Sequence, residues 1–186
     1  MTHITLAVTG SISAYKAADI TSQLTKLGFE VKVLMTPSAR KFITPLTLQV
    51  LSKNQVGIDV MIEDDPQRIE DDPQRIEHID IGKETDIFLV APASANTIAK
   101  LAMGLADNMV TSTALALPQT TKKLLAPAMN TKMLEHPATQ RNLKLLQDYG
   151  YQIIQPREAL LACGDKGSGA LASVETIVET VKENCL

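Results

Sequence analysis

The sequence predicts a doubly wound α/β domain on one parallel sheet, and three observations carry that prediction. Short runs rich in Val, Ile and Leu recur at residues 4–9, 30–35 and 87–91, as in strands buried on both faces of a sheet. Between such runs lie amphipathic stretches with helix stop signals, for example 14–27 closed by Gly28. The segments that leave the strands are small and polar, as at Gly10, Thr36, Pro92 and Pro127.

In chain order, a strand at 4–9 passes through a loop at 10–13 into a helix over 14–27, and 30–35 gives the second strand, completing a βαβ unit. Thr36, Pro37 and Ser38 form a second loop at a strand end. Thr44 followed by Pro45 reads as an N-cap with proline at the first helical position, ahead of a helix through Leu51. A strand is expected at 58–62. The apolar run 87–91 is the centre of the sheet, and Ser94 caps a helix over 95–102 that ends at Gly104. Further helices are expected at 108–117, 137–148 and 174–184, and further strands at 123–126 and 151–154. This alternation gives a doubly wound, Rossmann-like (flavodoxin-like) parallel sheet in a single domain, 1–186, with ligands expected beyond the carboxyl ends of its strands.

Composition narrows the partners. A hydrophobic fraction of 45% with 21% charged residues is ordinary for a globular chain, and no apolar run is long enough to span a bilayer. The net charge of −3 argues against nucleic acid or an anionic membrane as the main partner. Two cysteines, Cys163 and Cys185, make no disulfide framework, and with no signal peptide at the start a reduced, cytoplasmic setting is the default.

One stretch departs from the alternation. Glu-Asp-Asp-Pro-Gln-Arg-Ile occurs at 63–69 and again at 70–76, two residues before His78. A duplication in an exposed acidic loop explains it, because lengthening a surface loop costs little. A partner-binding insertion is the other reading. The extra length is expected to bulge outward and leave His78 in register.

The loops constrain a cofactor. The first lacks the G-x-G-x-x-G spacing for a dinucleotide pyrophosphate, and no Walker A motif occurs. The helix start at Ser94 offers free N–H groups to an anion. One terminal phosphate on a flat ring suits these loops better than a dinucleotide or triphosphate, and no metal is expected.

An ordered set of motifs names a family. Gly-Ser-Ile-Ser at 10–13, Thr-Pro-Ser-Ala at 36–39, His78, Pro-Ala-Ser-Ala-Asn-Thr at 92–97, Pro-Ala-Met-Asn at 127–130 and Ala-Cys-Gly-Asp-Lys-Gly-Ser-Gly at 162–169 together resemble the homo-oligomeric flavin-containing cysteine decarboxylases. Within that family the chain is most similar to the branch that acts on phosphopantothenoylcysteine in coenzyme A synthesis, in its form without a fused ligase domain. The resemblance runs from Ile4 to about Ala172. It implies FMN held by Gly10, Ser11, Ile12, Thr36, Ser38, Ser94, Ala95, Asn96 and Thr97, with Ala128 and Met129 near the ring. It implies His78, Asn130 and Cys163 as catalytic residues, with Asn130, Ala162, Cys163 and Gly164 binding substrate and 161–172 forming a clamp.

The resemblance further implies a trimer, or trimers assembled into a dodecamer, in which Asn130 and His78 meet one flavin from different subunits. Leu134 stands where the family often has an aromatic residue. A peptidyl-cysteine decarboxylase and a flavin-binding regulatory subunit without catalysis are the competing readings. The first is disfavoured by the Ala-Cys-Gly clamp, the second by the retention of His78, Asn130 and Cys163. A flavin prenyltransferase would leave His78 idle.

Overall fold

The structure is a computed structural model and describes residues 1–59, 77–160 and 166–185. Strand β1 (His3–Val8) is buried from Ile4 onward. Ser11 caps a 3₁₀ turn at Ile12–Lys16, which runs into helix α1 (Ala17–Lys26), whose Ala17, Ile20, Thr21 and Leu24 share one buried face. The expected single helix over 14–27 is therefore split, because the Ser11 cap starts a tighter turn first. Gly28, at φ 87°, closes the helix and admits β2 (Glu30–Met35).

A second 3₁₀ turn at Ala39–Lys41 precedes α2 (Pro45–Ser52), with Thr44 as N-cap and Pro45 in the first turn. Then follow α3 (Glu77–Glu84), β3 (Ile87–Ala93), α4 (Ala95–Met103), α5 (Met109–Ala116) and β4 (Lys122–Pro127). The chain continues through α6 (Thr131–Glu135), α7 (Pro137–Asp148) and β5 (Tyr151–Ile153) to β6 (Arg157–Leu160), β7 (Lys166–Ala170) and α8 (Val174–Glu183).

The main sheet has the order β2-β1-β3-β4-β5, with every pair parallel. This is the flavodoxin-like variant of the doubly wound fold, whose direction of winding reverses between β1 and β3. All seven residues of β3 are buried.

Alternate strand positions feed two cores. Ile4, Leu6, Leu89 and Leu124 pack with Ile20 and Leu24 of α1 and with Ile177 and Val181 of α8. Ala7, Phe88, Val90 and Leu125 face Ile81 of α3, Ile98 of α4, Met109 of α5 and Leu146 of α7. Each large apolar side chain so buried contributes about 1.5–3 kcal/mol. Among the described residues no helix is long and apolar enough to cross a membrane.

Three features differ from the sequence reading. In place of the strand at 58–62, Gly57 makes an isolated parallel bridge to Leu34, Ile58 and Asp59 carry no strand, and 60–62 lie outside the described residues. A Cβ on Gly57 would come 2.6 Å from Leu34 Cδ2, so the chain passes closely over the Leu34 side chain at the sheet edge. Helix α3 and the antiparallel hairpin β6–β7 were not anticipated. The tandem heptad 63–76 lies outside the described residues, so its outward bulge is not described either.

Candidate active site

At the carboxyl end of β1 the chain turns through Thr9 and Gly10. A Cβ on Gly10 would lie 2.6 Å from Ser38 Cβ, so glycine is what lets the loop after β1 approach the loop after β2. Ser11 Oγ accepts from Ser13 N at 3.3 Å, and the apolar side chain of Ile12 is 59% exposed at the rim. Thr36 is buried: its N–H donates to Val8 O at 3.1 Å and its Oγ1 accepts from Ala39 N at 3.3 Å. Ser38 stands exposed beside it.

The strand β3 ends in a helix start. Ser94 Oγ accepts from Thr97 N at 3.2 Å, and Thr97 is buried. The first-turn N–H groups of Ala95 and Asn96 have no carbonyl to meet within the helix, and no acidic residue stands in that turn. That end therefore carries positive potential. Lys16 ends the 3₁₀ turn that follows β1. Burial and then the charge of Arg157 lower its pKa from the ordinary value of 10.5, only partly offset by Glu175 and Asp19.

The end of β4 closes the other side. Ala128 N donates to Ala93 O at 3.0 Å, and Met129 N to Gly169 O at 2.9 Å. Asn130 caps α6, with Oδ1 accepting from Lys132 N at 2.9 Å. The hairpin β6–β7 lies directly on this turn: a Cβ on Gly169 would overlap the carbonyl oxygen of Met129, and one on Gly167 the Thr131 hydroxyl. Leu134, at the position of the missing aromatic, is buried in the helix layer. Ala162, Cys163 and Gly164 fall between β6 and β7 and lie outside the described residues.

His78 sits in the first turn of α3, sharing a helix face with the buried Ile81 and, just past the helix, Thr85. Because a crossover helix runs antiparallel to the strand it feeds, that turn is the end of α3 nearer the carboxyl edge of the sheet. Among the described residues, the buried His78 Nδ1 has no hydrogen-bond partner. Such an atom is costly unless something meets it.

The sequence-predicted residues of the loops after β1, β2, β3 and β4 are thus brought to one edge of the sheet, at its switch point. One residue that holds this edge together was missed, Thr9, whose hydroxyl bridges β1 to β3, whereas Gly169 of the hairpin falls within the 162–169 motif. The signal for Thr9 is its place at a strand end immediately before Gly10. A separate cavity of about 370 Å³ opens at the other end of the sheet, between Lys100, Leu115, Lys123 and Tyr151, and none of the predicted site residues lines it.

A family model for flavoproteins matches residues 1–186. The chain belongs to the flavoprotein family. This flavoprotein is 61% identical over 180 residues, covering 97% of each chain, to a protein of Streptococcus mutans serotype c named a probable phosphopantothenoylcysteine decarboxylase. Its fold is similar to that of the FMN binding protein AtHal3, with a TM-score of 0.84 at 34% identity, covering 98% of this chain and 95% of that one. It is similar also to a cysteine-to-serine mutant of PPC decarboxylase complexed with pantothenoylaminoethenethiol, with a TM-score of 0.83 at 32% identity, covering 98% of this chain and 97% of that one.

Proposed function

We propose that this flavoprotein binds FMN and converts 4′-phosphopantothenoylcysteine to 4′-phosphopantetheine, a step of coenzyme A synthesis. The observation that carries the reading is the 61% identity, over nearly the whole of both chains, to the protein named a probable phosphopantothenoylcysteine decarboxylase. The residues present fit the cofactor. The close approach of the loops after β1 and β2 at Gly10 and Ser38, the exposed Ile12 and the first-turn N–H groups of Ala95 and Asn96 suit a flat ring with one phosphate.

When bound, FMN supplies a two-electron acceptor for the substrate thiol, and the resulting thioaldehyde is the electron sink that lets the neighbouring carboxylate leave as CO2. The chain's own residues do the rest. His78 offers a buried ring nitrogen without a partner among the described residues, a place to take up or give a proton at Nδ1. General acid–base help of this kind contributes about 10²–10⁴ in rate. Asn130 holds the substrate carboxylate through its amide N–H groups without a full charge to oppose its departure. The two electrons taken from the thiol would return to the enethiol carbon–carbon bond, and Cys163, in the sequence between β6 and β7, would donate the carbon-bound proton that accompanies them, giving the saturated thiol. We infer self-assembly into a trimer, or trimers within a dodecamer, with the site shared between neighbours.

The test is mass spectrometry of the purified, yellow protein mixed with 4′-phosphopantothenoylcysteine. Loss of CO2 to give 4′-phosphopantetheine is expected, abolished in His78→Asn and arrested at the enethiol in Cys163→Ser. A yellow protein that spares this substrate and decarboxylates a cysteine-terminated peptide would overturn the reading in favour of a peptidyl substrate.

A further inference from the structure

The Thr9 side chain is fully buried at the end of β1 and makes two hydrogen bonds across the switch point. Its Oγ1 donates to Pro92 O at 2.6 Å and accepts from Ser94 N at 2.9 Å. A hydroxyl carries one proton and two lone pairs, so a single oxygen serves an acceptor and a donor two residues apart. Those two groups need an outside partner because the pairing of β3 with β4 shifts register between Val90 and Ala93, just where β3 gives way to α4.

The consequence reaches the helix start. Ser94 is the N-cap of α4, and its Oγ is already committed to Thr97 N. With its N–H committed to Thr9, both ends of the cap residue are fixed. The remaining first-turn donors, Ala95 and Asn96, are then aimed by a residue of β1, 85 positions from the cap it holds. The same residue precedes Gly10, so it also fixes where the loop after β1 leaves the sheet.

We propose that Thr9 is a positioning residue for the flavin phosphate: by clipping Pro92 and Ser94 to β1, it sets the N-terminus of α4 against the loop after β1 at the spacing that the phosphate requires. This rests on the reading that FMN binds in this crevice. Thr9 acts through Ser94 and touches no reacting atom. Its γ-methyl restricts the rotamer, which keeps the hydroxyl aimed at both partners.

The experiment titrates apoprotein with FMN and, separately, with riboflavin, following flavin fluorescence. It compares native protein, Thr9→Val, which keeps the shape and deletes the hydroxyl, and Thr9→Ser, which keeps the hydroxyl. Thermal melts of each apoprotein set a temperature at which all three are folded. Thr9→Val is expected to weaken FMN about tenfold to hundredfold, the scale of one hydrogen bond to a charged group, with riboflavin nearly unchanged and Thr9→Ser close to native. Equal weakening of FMN and riboflavin, or an FMN affinity unaffected in Thr9→Val, would overturn the positioning role while native binding stands. Native protein that fails to bind FMN at all would overturn the cofactor reading and this role with it.

Discussion

Asn130 has two duties at one position. Its Oδ1 caps α6 by accepting from Lys132 N, and its amide N–H groups are the donors with which it would hold a carboxylate. Asn130→Asp separates the two, since a carboxylate still accepts from Lys132 N but donates nothing and repels a like charge. Thermal stability and FMN affinity should stay near native while kcat/KM falls by about tenfold to hundredfold or more, from a loss of about 1.5–3 kcal/mol. Steady-state decarboxylation beside a melt measures both, and native turnover in Asn130→Asp would remove the proposed role. At this scale legibility was uneven. His78 and Asn130 stood out because ordered motifs carried them, whereas Thr9 reads in sequence as an ordinary β-former. Its hydroxyl acquires meaning only once β3 is laid beside β1 and the pairing of β3 with β4 shifts register between Val90 and Ala93.

The loops and the hairpin are separable elements, and two glycines report on them separately. At Gly10 the obstacle to a side chain is Ser38 Cβ, in the loop after β2; at Gly169 it is the carbonyl oxygen of Met129, next to Asn130. Neither atom can swing aside as the tip of a flexible side chain would. Gly10→Ala should therefore weaken FMN, whereas Gly169→Ala should raise KM for the substrate and spare FMN, by lifting the hairpin from the Asn130 turn. Flavin titration and steady-state kinetics on both variants check this, and the same pattern of loss in both would refute the separation. These contacts also explain what the sequence hid. Lys-Gly-Ser-Gly-Ala lacks β-branched residues and does not read as a strand, yet its glycines are there for close approach. Helix α3 was obscured in the same way, because Gly82 and two isoleucines weaken its helical signal. Gly82 is small because a Cβ there would meet Ala116 O of α5 at 3.1 Å.

Across the whole molecule, alternation of strands and helices was enough to foresee a parallel sheet with its ligand site beyond the carboxyl ends. The order β2-β1-β3-β4-β5 was not written in that alternation, because it depends on the chain returning from β2 to pair beside β1. The resulting layers place the candidate site at one edge, while Tyr151 starts β5 at the opposite one, in the layer with Leu143 and Leu146. Burial pushes the Tyr151 phenol well above its ordinary value of 10.0. The folded state thus keeps a proton that the unfolded chain releases above that value, so this contribution to stability is full below about pH 10 and declines as pH rises beyond it. One pH unit above the unfolded value corresponds to about 1.4 kcal/mol. Urea unfolding at about pH 8 and about pH 11 should show a larger fall in native protein than in Tyr151→Phe, which has no phenolic proton to lose. Lys123, whose Nζ lies 5.5 Å from the ring centroid and donates to Tyr149 O, remains in both proteins. Subtracting one fall from the other therefore isolates the phenol, and equal falls would mean that Tyr151 ionises in the folded state as readily as in the unfolded chain.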